Sequence, residues 1–533
     1  MNGIQPDWGW DNARAILGVF VVVGVAWLLS ENKKRFPWKL TLGAIVMMYV
    51  FTILLFAVPP VRDGLNTLND WIDVLVVATR EGTKFVFGGL IGDQTAWEKF
   101  VGAPGPIFIF QLLPLIIVIG SLAAMLWHWG ILKIITKGFA ILFERTMGIS
   151  GAASLSVAAN IFMGQTEAPL LIKPYLKTMS RAELLIVMST GFATIAGSVL
   201  VIYRNLLTQC DPTTHMPIVT NALAHLITVS ITASPAAVAL SLIMVPETTK
   251  IEDKPVESEF KYHSTMDAFA AGATDGIAII WNIATMLIAA LAIVYIANAI
   301  LGAVPIGWIP GLQGAKLSLD SILGLLFSPF MYMAGVPWEE ATKAGAFVGV
   351  KTVFTEFVAF LRLGDIKDPL TQVSEHTRVL ITYAICGFAN FGSMGILIGG
   401  LSIMAPERRP DFLQLSWKTL YAGTLATIMA AAVVGSLPNS MFLPTGAQLD
   451  AAKAVCLAKQ SPAAATPASA TPAEGAPAPA APAPEANSGT GASPPAAPQP
   501  APAGSSSINS AAPAGAPAPQ QPAPTPGGTS PNH

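Results

Sequence analysis

Two glutamates that lie inside apolar sequence are the residues of this chain best suited to chemistry. Each follows a threonine, first as Thr166-Glu167 and much later as Thr355-Glu356. A carboxylate at membrane depth is strongly unfavourable unless a nearby group compensates it. The two pairs therefore predict a polar site inside an otherwise apolar protein.

A second motif follows each pair after a helical stretch. It begins Gly191-Phe-Ala-Thr194 in the first half of the chain and Gly387-Phe388-Ala-Asn390 in the second. This recurrence is typical of a membrane transporter that is built from an internal structural repeat.

Composition places the chain among membrane proteins. Of its 533 residues 53% are hydrophobic and only 12% are charged, whereas soluble domains carry about 25% charged residues. Several apolar windows reach about 20 residues, the length that crosses a bilayer core as a helix. We predict an all-α polytopic membrane protein. The net charge of -2 says nothing about nucleic acid, and no basic patch in the sequence indicates a nucleic-acid partner.

The cysteines and the first apolar run give two negative expectations. Cys210, Cys386 and Cys456 lie far apart and show neither a metal-ligand pattern nor an obvious disulfide framework. Acidic rather than basic residues precede the first apolar run, so we expect no cleavable signal peptide.

Eight transmembrane helices are expected from the apolar windows. Basic residues at 33–35 and 408–409 predict the cytoplasmic side, which places both termini outside. Residues 61–103 mix apolar and charged side chains and predict one or two interfacial helices. The predicted spans are about 15–30, 40–58, 106–127, 182–203, 216–245, 277–302, 378–403 and 414–436.

Two further apolar segments are interrupted too often to cross the membrane as single helices. Residues 147–178 contain glycines, Asn160, Gln165 and Pro169, and they predict a re-entrant hairpin with its tip near 162–168. Residues 341–362, after the apolar stretch 321–335, predict a second hairpin. The two hairpins enter from opposite faces, as an inverted repeat requires.

These segments resemble the concentrative nucleoside transporter family. The likeness is carried by Asn160-Ile-Phe-Met-Gly-Gln165-Thr166-Glu167, by Gly387-Phe388-Ala-Asn390 and by other motifs in the same order. It covers roughly residues 10–440. The matching stretches are 146–151, 158–172, 174–176, 191–200, 335–338, 351–352, 356–359, 382–390, 398–400 and 405–409.

The resemblance implies a homotrimer in which a scaffold domain supports a transport domain that moves like an elevator. Nucleosides would be carried inward by a sodium or proton gradient.

The eight crossings predict a bacterial inner-membrane protein. The expected domains are scaffold spans 1–146, a first transport repeat 147–245, a loop, scaffold span and linking helix 246–320, a second transport repeat 321–440 and an Ala/Pro-rich disordered tail 441–533.

By resemblance, Gln165, Thr166 and Glu167 bind the nucleobase and Val199 packs against it. An amide, a hydroxyl and a carboxylate match the mixed donors and acceptors of a base edge. The alternative is that Thr166 and Glu167 only cap the second half-helix of the hairpin.

The same resemblance assigns Glu356, Asn390 and Ser393 to the ribose hydroxyls, through charge-assisted hydrogen bonds at the carboxylate. Phe388 matches a position near the substrate, with a side chain that faces lipid or core as the alternative. For Asn390 the alternative is an interhelical hydrogen bond.

Sodium would bind between the first hairpin tip and the unwound part of the next helix. The ligands implied are the side chains of Asn160 and Thr194 and the backbone carbonyls near Met163 and Ile195, all of them oxygens that suit a hard cation. No organic cofactor is expected. Protonation of Glu167 or Glu356 is the alternative source of coupling.

Other functions fit the residues less well. Two buried carboxylates beside amide and hydroxyl groups favour a closed binding site over the permeation ring of a channel. The sequence shows no Ser/His pair, His-rich metal motif or nucleotide-binding loop that would indicate an enzyme. His225 lies within an apolar span, where an interhelical hydrogen bond is the expected role. We therefore expect a sodium-coupled nucleoside symporter.

Overall fold

The computed structural model describes residues 7–88, 108–111, 113–248, 262–304, 317–444 and 446–460, and these ranges contain helices and no β-strand. In chain order the helices are α1 (Trp10–Leu28), α2 (Trp38–Ala57), α3 (Pro59–Phe87), α4 (Phe108–Gln111), α5 (Pro114–His128), α6 (Ile131–Met147), α7 (Gly151–Asn160), α8 (Glu167–Leu170), α9 (Arg181–Ala193), α10 (Gly197–Leu207), α11 (Ala222–Met244), α12 (Thr265–Gly302), α13 (Leu319–Met333), α14 (Trp338–Val353), α15 (Glu356–Gly364), α16 (Glu375–Ile385), α17 (Phe391–Met404), α18 (Arg409–Gly435) and α19 (Ala447–Gln460).

The helices have the length and composition of a polytopic membrane protein, as predicted. Within the described ranges, six elements are long and apolar enough to cross a bilayer, or up to eight if each of two bent pairs is one span. The bent pairs are α5 with α6, at 74°, and α13 with α14, at 118°. The count of eight crossings stays a prediction.

Both predicted hairpins contain a helix break, the first at the tip predicted near 162–168 and the second within the predicted range 341–362. Residues 161–166 separate α7 from α8, and Phe354 and Thr355 separate α14 from α15. The spans that follow are broken as well, at 194–196 between α9 and α10 and at 386–390 between α16 and α17. The span predicted over 378–403 consists of two helices, and Gly387 in the break between them lies where a side chain would meet backbone carbonyls of α9.

The order of elements recurs in the two halves of the chain. In each half a broken hairpin precedes a broken helix and then a long helix, from α7 to α11 and again from α14 to α18. The two long helices, α11 and α18, are buried along most of their length and pack against each other. They form the core on which the broken helices are held.

Small residues set the position of α12. An added Cβ at Gly272 would lie 2.4 Å from the Gly120 carbonyl oxygen, and one at Gly276 would lie 2.7 Å from the Ile117 Cα. This G-x-x-x-G pair therefore lets α12 approach α5 at backbone distance. Much of the remaining surface of α12 is exposed and apolar, including Trp281 and Tyr295.

Two buried arginines connect distant parts of the fold. Arg14 on α1 donates to the carbonyl oxygens of Tyr332 (2.7 Å) and Val336 (2.9 Å), which fixes the turn between α13 and α14. Arg204 on α10 forms an ion pair with Asp73 on α3 and also donates to Asn69. The second arginine joins the first of the two repeated halves to the amphipathic helix α3.

The expectation about the cysteines was wrong. Cys210, in the loop after α10, forms a disulfide with Cys456 on α19, at a Cα–Cα distance of 5.5 Å. The partners are 246 residues apart, and spacing alone cannot reveal such a pairing. Helix α19 also lies within the segment 441–533 that was predicted to be disordered; residues 461–533 of that segment lie outside the described residues.

The disulfide predicts a defined thiol count. Because Cys386 is the free, buried cysteine of the three, denatured but unreduced protein should take up one maleimide, and reduced protein should take up three. Mass spectrometry of the intact chain measures the number. Cys456→Ser, which frees Cys210, should raise the unreduced count to two; three labels on unreduced wild-type protein would contradict the pairing.

Candidate functional site

One cavity brings together all eight side chains that were predicted to contact a substrate. Residues from the tip before α8, from α10, from the start of α15 and from the start of α17 line it, and α12 closes one side. The predicted residues in its wall are Gln165, Thr166, Glu167, Val199, Glu356, Phe388, Asn390 and Ser393.

The cavity is surrounded by helix beginnings. Glu167 is the first residue of α8, Glu356 is the first residue of α15, Val199 lies in the first turn of α10, and Asn390 is the N-cap of α17. The first N–H groups of a helix lack intrahelical partners and form the positive end of the helix dipole. Four such ends favour carboxylates and other hydrogen-bond acceptors here.

Glu356 is the best-defined group in the cavity. Its carboxylate accepts a hydrogen bond from the Tyr203 hydroxyl at Oε1 (2.9 Å) and another from Asn390 Nδ2 at Oε2 (2.9 Å). The side chain is only 5% exposed. Each oxygen can accept a further hydrogen bond, so the carboxylate is oriented and keeps capacity for a hydroxylated ligand.

Asn390 combines two contacts. Its Oδ1 accepts from the Ser393 backbone N–H (2.7 Å), which caps α17, and its amide nitrogen reaches across to Glu356. The interhelical hydrogen bond that was the alternative function of Asn390 is therefore present, and it lies in the wall of the same cavity.

At the first hairpin tip neither Thr166 nor Glu167 makes a side-chain cap of α8, so the capping alternative is not supported. Glu167 Oε2 accepts from the Gly164 N–H (3.0 Å), whereas the Thr166 side chain makes no capping hydrogen bond. Gln165 is buried, and its Oε1 has no hydrogen-bond partner among the described residues. The hydroxyl and the amide are thus available to a ligand.

The residues proposed for sodium lie just behind this tip. Asn160 is completely buried, and its Oδ1 has no hydrogen-bond partner within the described part of the chain. Thr194 ends α9, and its hydroxyl donates to the Thr190 carbonyl (2.9 Å) and keeps a free lone pair. The described hydrogen bonds do not use the Met163 and Ile195 carbonyl oxygens. An orphaned buried carboxamide oxygen suits a hard cation.

Hydrogen bonds between the broken helices connect these groups. The Gly197 N–H donates to the Phe162 carbonyl (3.1 Å), which joins the first hairpin tip to the start of α10. The Phe388 N–H donates to the Thr194 carbonyl (3.3 Å), so the breaks in the two halves meet. Phe388 itself lines the cavity, which disfavours the alternative of a lipid-facing ring.

Four polar residues of the cavity wall were not predicted as site residues: Ser198, Tyr203, Asn282 and Thr355. Tyr203 follows Val199 by four residues and therefore lies on the same face of α10. Asn282 is an isolated polar residue in the apolar helix α12. The spacing of Tyr203 from Val199 and the isolated polar residue Asn282 are both visible in the sequence. His225, by contrast, makes the predicted interhelical contact, from Nδ1 to the Tyr383 hydroxyl at 3.3 Å.

Family models match most of the helical part of the chain. The Na+ dependent nucleoside transporter N-terminus model matches residues 17–90, and its C-terminus counterpart matches residues 225–435. A third model, described as nucleoside recognition, matches residues 109–209.

Similar proteins occur in bacteria and mammals. The chain is 36% identical to an uncharacterized transporter of Haemophilus influenzae, over 81% of this chain and 98% of that protein. It is 33% identical to the nucleoside permease NupC of Helicobacter pylori, over 79% and 96% of the two chains. Sodium/nucleoside cotransporter 1 of Rattus norvegicus is 32% identical over 81% of this chain and 64% of its own length.

A solved structure is also similar to this chain. The structure of CNTnw in an inward-facing substrate-bound state has a TM-score of 0.70 and 35% identity, over 80% of this chain and 98% of that chain. The fold, the family models and the relatives agree that this is a membrane transporter and not an enzyme. The chain belongs to the Na+-dependent nucleoside transporter family, the concentrative nucleoside transporters.

Proposed function

We propose that this protein is a symporter that imports nucleosides of the uridine and adenosine type with an inward sodium gradient. The observation that supports this most directly is the single cavity lined by all eight substrate residues. It lies between the breaks of two similarly ordered sets of helices, where a membrane protein can expose backbone and polar groups to a solute.

The two ends of the cavity suit the two parts of a nucleoside. Gln165, Thr166 and Glu167 offer donors and acceptors to the base edge, and Val199 offers an apolar surface to its ring. Glu356, held by Tyr203 and Asn390, accepts from the ribose hydroxyls. A sugar that lacks a hydroxyl would leave this buried carboxylate with an unused acceptor, which weakens binding.

The position of Asn160 supports a coupling between sodium binding and nucleoside binding. A Cβ built on Gly191 would lie 3.6 Å from Asn160 Oδ1 and 3.0 Å from the Gln165 Cβ, so the proposed ion ligand and the base-binding amide flank the same glycine. A sodium ion held by Asn160 and Thr194 would fix the hairpin tip that carries Gln165. Ion and nucleoside would then favour each other's binding.

The proposed orientation places both termini outside a bacterial inner membrane. The basic residues at 33–35 and 408–409 support a cytoplasmic position for those segments. The same topology puts Cys210 and Cys456 together on the outer face, and a disulfide is expected in the oxidising periplasm rather than in the cytosol.

The proposed assembly is a homotrimer with elevator-type movement. Such an assembly requires apolar surface that can face lipid or another protomer, and α12 exposes such a surface. For movement, the Arg204–Asp73 ion pair would need to break whenever α10 slides past α3.

Uptake into proteoliposomes tests the proposed function itself. We expect radiolabelled uridine or adenosine to accumulate above its external concentration when an inward sodium gradient is imposed, because the ion and the nucleoside bind as a unit. Accumulation driven only by a proton gradient would instead indicate coupling through Glu167 or Glu356. Equilibration without accumulation and without saturation would indicate a channel.

Glu356→Gln tests the ribose assignment. The loss of charge-assisted hydrogen bonds, worth about 1.5–3 kcal/mol each, should raise the uridine KM by at least about tenfold and reduce discrimination against 2′-deoxyuridine and 3′-deoxyuridine. Glu339→Gln is the matched control, because Glu339 is exposed at the start of α14. Equal discrimination by wild type and Glu356→Gln would reject the assignment.

Asn160→Ala tests the ion site. Removal of the orphaned Oδ1 should raise the sodium concentration for half-maximal uptake at least about tenfold, roughly 1.4 kcal/mol in binding free energy. Ser154→Ala on the same helix is the control, since Ser154 is buried and its hydroxyl lacks a hydrogen-bond partner among the described residues. An unchanged sodium dependence in Asn160→Ala would place the ion elsewhere.

A further inference from the structure

A second cavity adjoins the proposed nucleoside site beside the first hairpin tip. Residues of α5, of the hairpin tip and of the first part of α12 line it, and its volume is about 380 Å³. None of the three residues assigned to the ribose hydroxyls belongs to its wall. The two cavities share Glu167, Ala196, Ser198 and Ile279. The second cavity therefore lies next to the end of the site that is proposed to hold the nucleobase.

Asp275 adds a charge to the wall of the second cavity. It lies on α12 four residues before Ile279, so the two side chains share a face of the helix and are about 6 Å apart along its axis. Asp275 is exposed, and among the described residues no basic side chain pairs with it. A carboxylate on a transmembrane helix is strongly unfavourable without a partner, so the cavity favours a cationic ligand.

Helix packing fixes the direction of this carboxylate. Gly276, the next residue, lies so close to α5 that an added Cβ would be 2.7 Å from the Ile117 Cα. One turn earlier, Gly272 approaches the Gly120 carbonyl in the same way. Rotation of α12 about its axis would break both contacts, so Asp275 keeps its place in the cavity wall.

The rest of the wall suits a polar ligand with a positive charge. The negative charges of Glu167 and Asp275 act on each other, and Tyr262 adds an aromatic ring, a group that attracts ammonium ions. Trp127, in the same wall, is 3% exposed, and its Nε1–H has no hydrogen-bond partner among the described residues. A lipid chain would leave these groups without polar partners, whereas a polar substituent can satisfy them.

We propose that the second cavity is a subsite for a cationic substituent on the nucleobase and that Asp275 selects this substituent. The substrate class then includes nucleosides whose base carries a short arm that ends in an amine. The inference rests on the proposed base contacts of Gln165, Thr166 and Glu167, and it deepens the proposed function by naming this class. An arm of two carbons is long enough, because Ile279 borders both cavities and lies one helical turn from Asp275.

Binding to the purified full-length protein tests the subsite. The probes are adenosine and cytidine whose exocyclic amine carries an aminoethyl, a hydroxyethyl or a carboxymethyl group, in competition with the radiolabelled parent nucleoside at saturating sodium. The aminoethyl compound should bind at least about fivefold more tightly than the hydroxyethyl compound of similar size, because only the ammonium gains a charge-assisted contact. The carboxymethyl compound should bind most weakly.

The parent nucleosides separate this inference from the proposed function. Equal affinities of the aminoethyl and hydroxyethyl compounds, beside normal binding of the parent nucleoside, would overturn the subsite and leave the proposed function intact. Failure of all three substituted compounds to compete would do the same. If neither adenosine, cytidine nor uridine bound in the presence of sodium, the proposed function would be contradicted together with the subsite that rests on it.

Two variants test whether the selection belongs to Asp275. Asp275→Asn keeps the size of the side chain and removes its charge, so the ratio of the hydroxyethyl Kd to the aminoethyl Kd should fall towards unity. Asp275→Lys should reverse the order, so that the carboxymethyl compound binds more tightly than the aminoethyl compound. The ratio does not depend on the amount of folded protein. An unchanged ratio in Asp275→Asn would overturn the inference.

Asp267→Asn is the matched control. Asp267 is an exposed carboxylate on the same helix, and it accepts a hydrogen bond from the His263 N–H (2.8 Å) outside the walls of both cavities. Its replacement should leave the affinity ratio unchanged. An equal fall of the ratio in Asp267→Asn and Asp275→Asn would indicate a general effect of negative charge and would overturn the assignment to Asp275.

Discussion

The structure depends on the need to satisfy backbone polar groups wherever a helix stops inside the apolar part of the protein. Each break leaves N–H and carbonyl groups without intrahelical partners. The fold brings the breaks together, so that the Gly197 N–H bonds to the Phe162 carbonyl and the Phe388 N–H to the Thr194 carbonyl. The unpaired N–H groups at helix beginnings surround the cavity, and the unpaired carbonyls at the ends of α7 and α9 lie near the position proposed for sodium.

This arrangement gives the two glutamates and the buried Lys351 a common physical explanation. Glu167 and Glu356 are the first residues of α8 and α15, where helix dipoles favour negative charge. Lys351 lies in the last turn of α14, where they favour positive charge. These three charged groups thus follow the polarity of the helices that carry them.

The sequence predicted the features that depend on local pattern. Apolar windows located the long helices, the interruptions around Gln165 located the first hairpin break, and the range 341–362 contained the second. The break between α16 and α17 was missed although Asn390, the N-cap of α17, is a local signal for the start of a helix. The close approach of Gly387 to the end of α9 at this break is a tertiary contact that the sequence does not reveal.

Contacts between residues that lie far apart in the chain also could not be predicted from a single sequence. The resemblance to a family supplied the eight cavity residues, but it did not supply Tyr203, whose contact with Glu356 joins α10 to α15. The Cys210–Cys456 bond was missed for the same reason. Such contacts depend on how two distant helices are oriented, which hydrophobic periodicity does not encode.

The Cys210–Cys456 bond has a mechanical consequence. It closes a covalent ring of residues 210–456, which contains α11 and the whole second half of the fold. A pulling force applied to the two chain ends would pass through the bond and bypass this ring. Under tension, only the residues outside the ring could be drawn out as extended chain. The second half would remain shielded from load even after the first half had been extracted from the membrane.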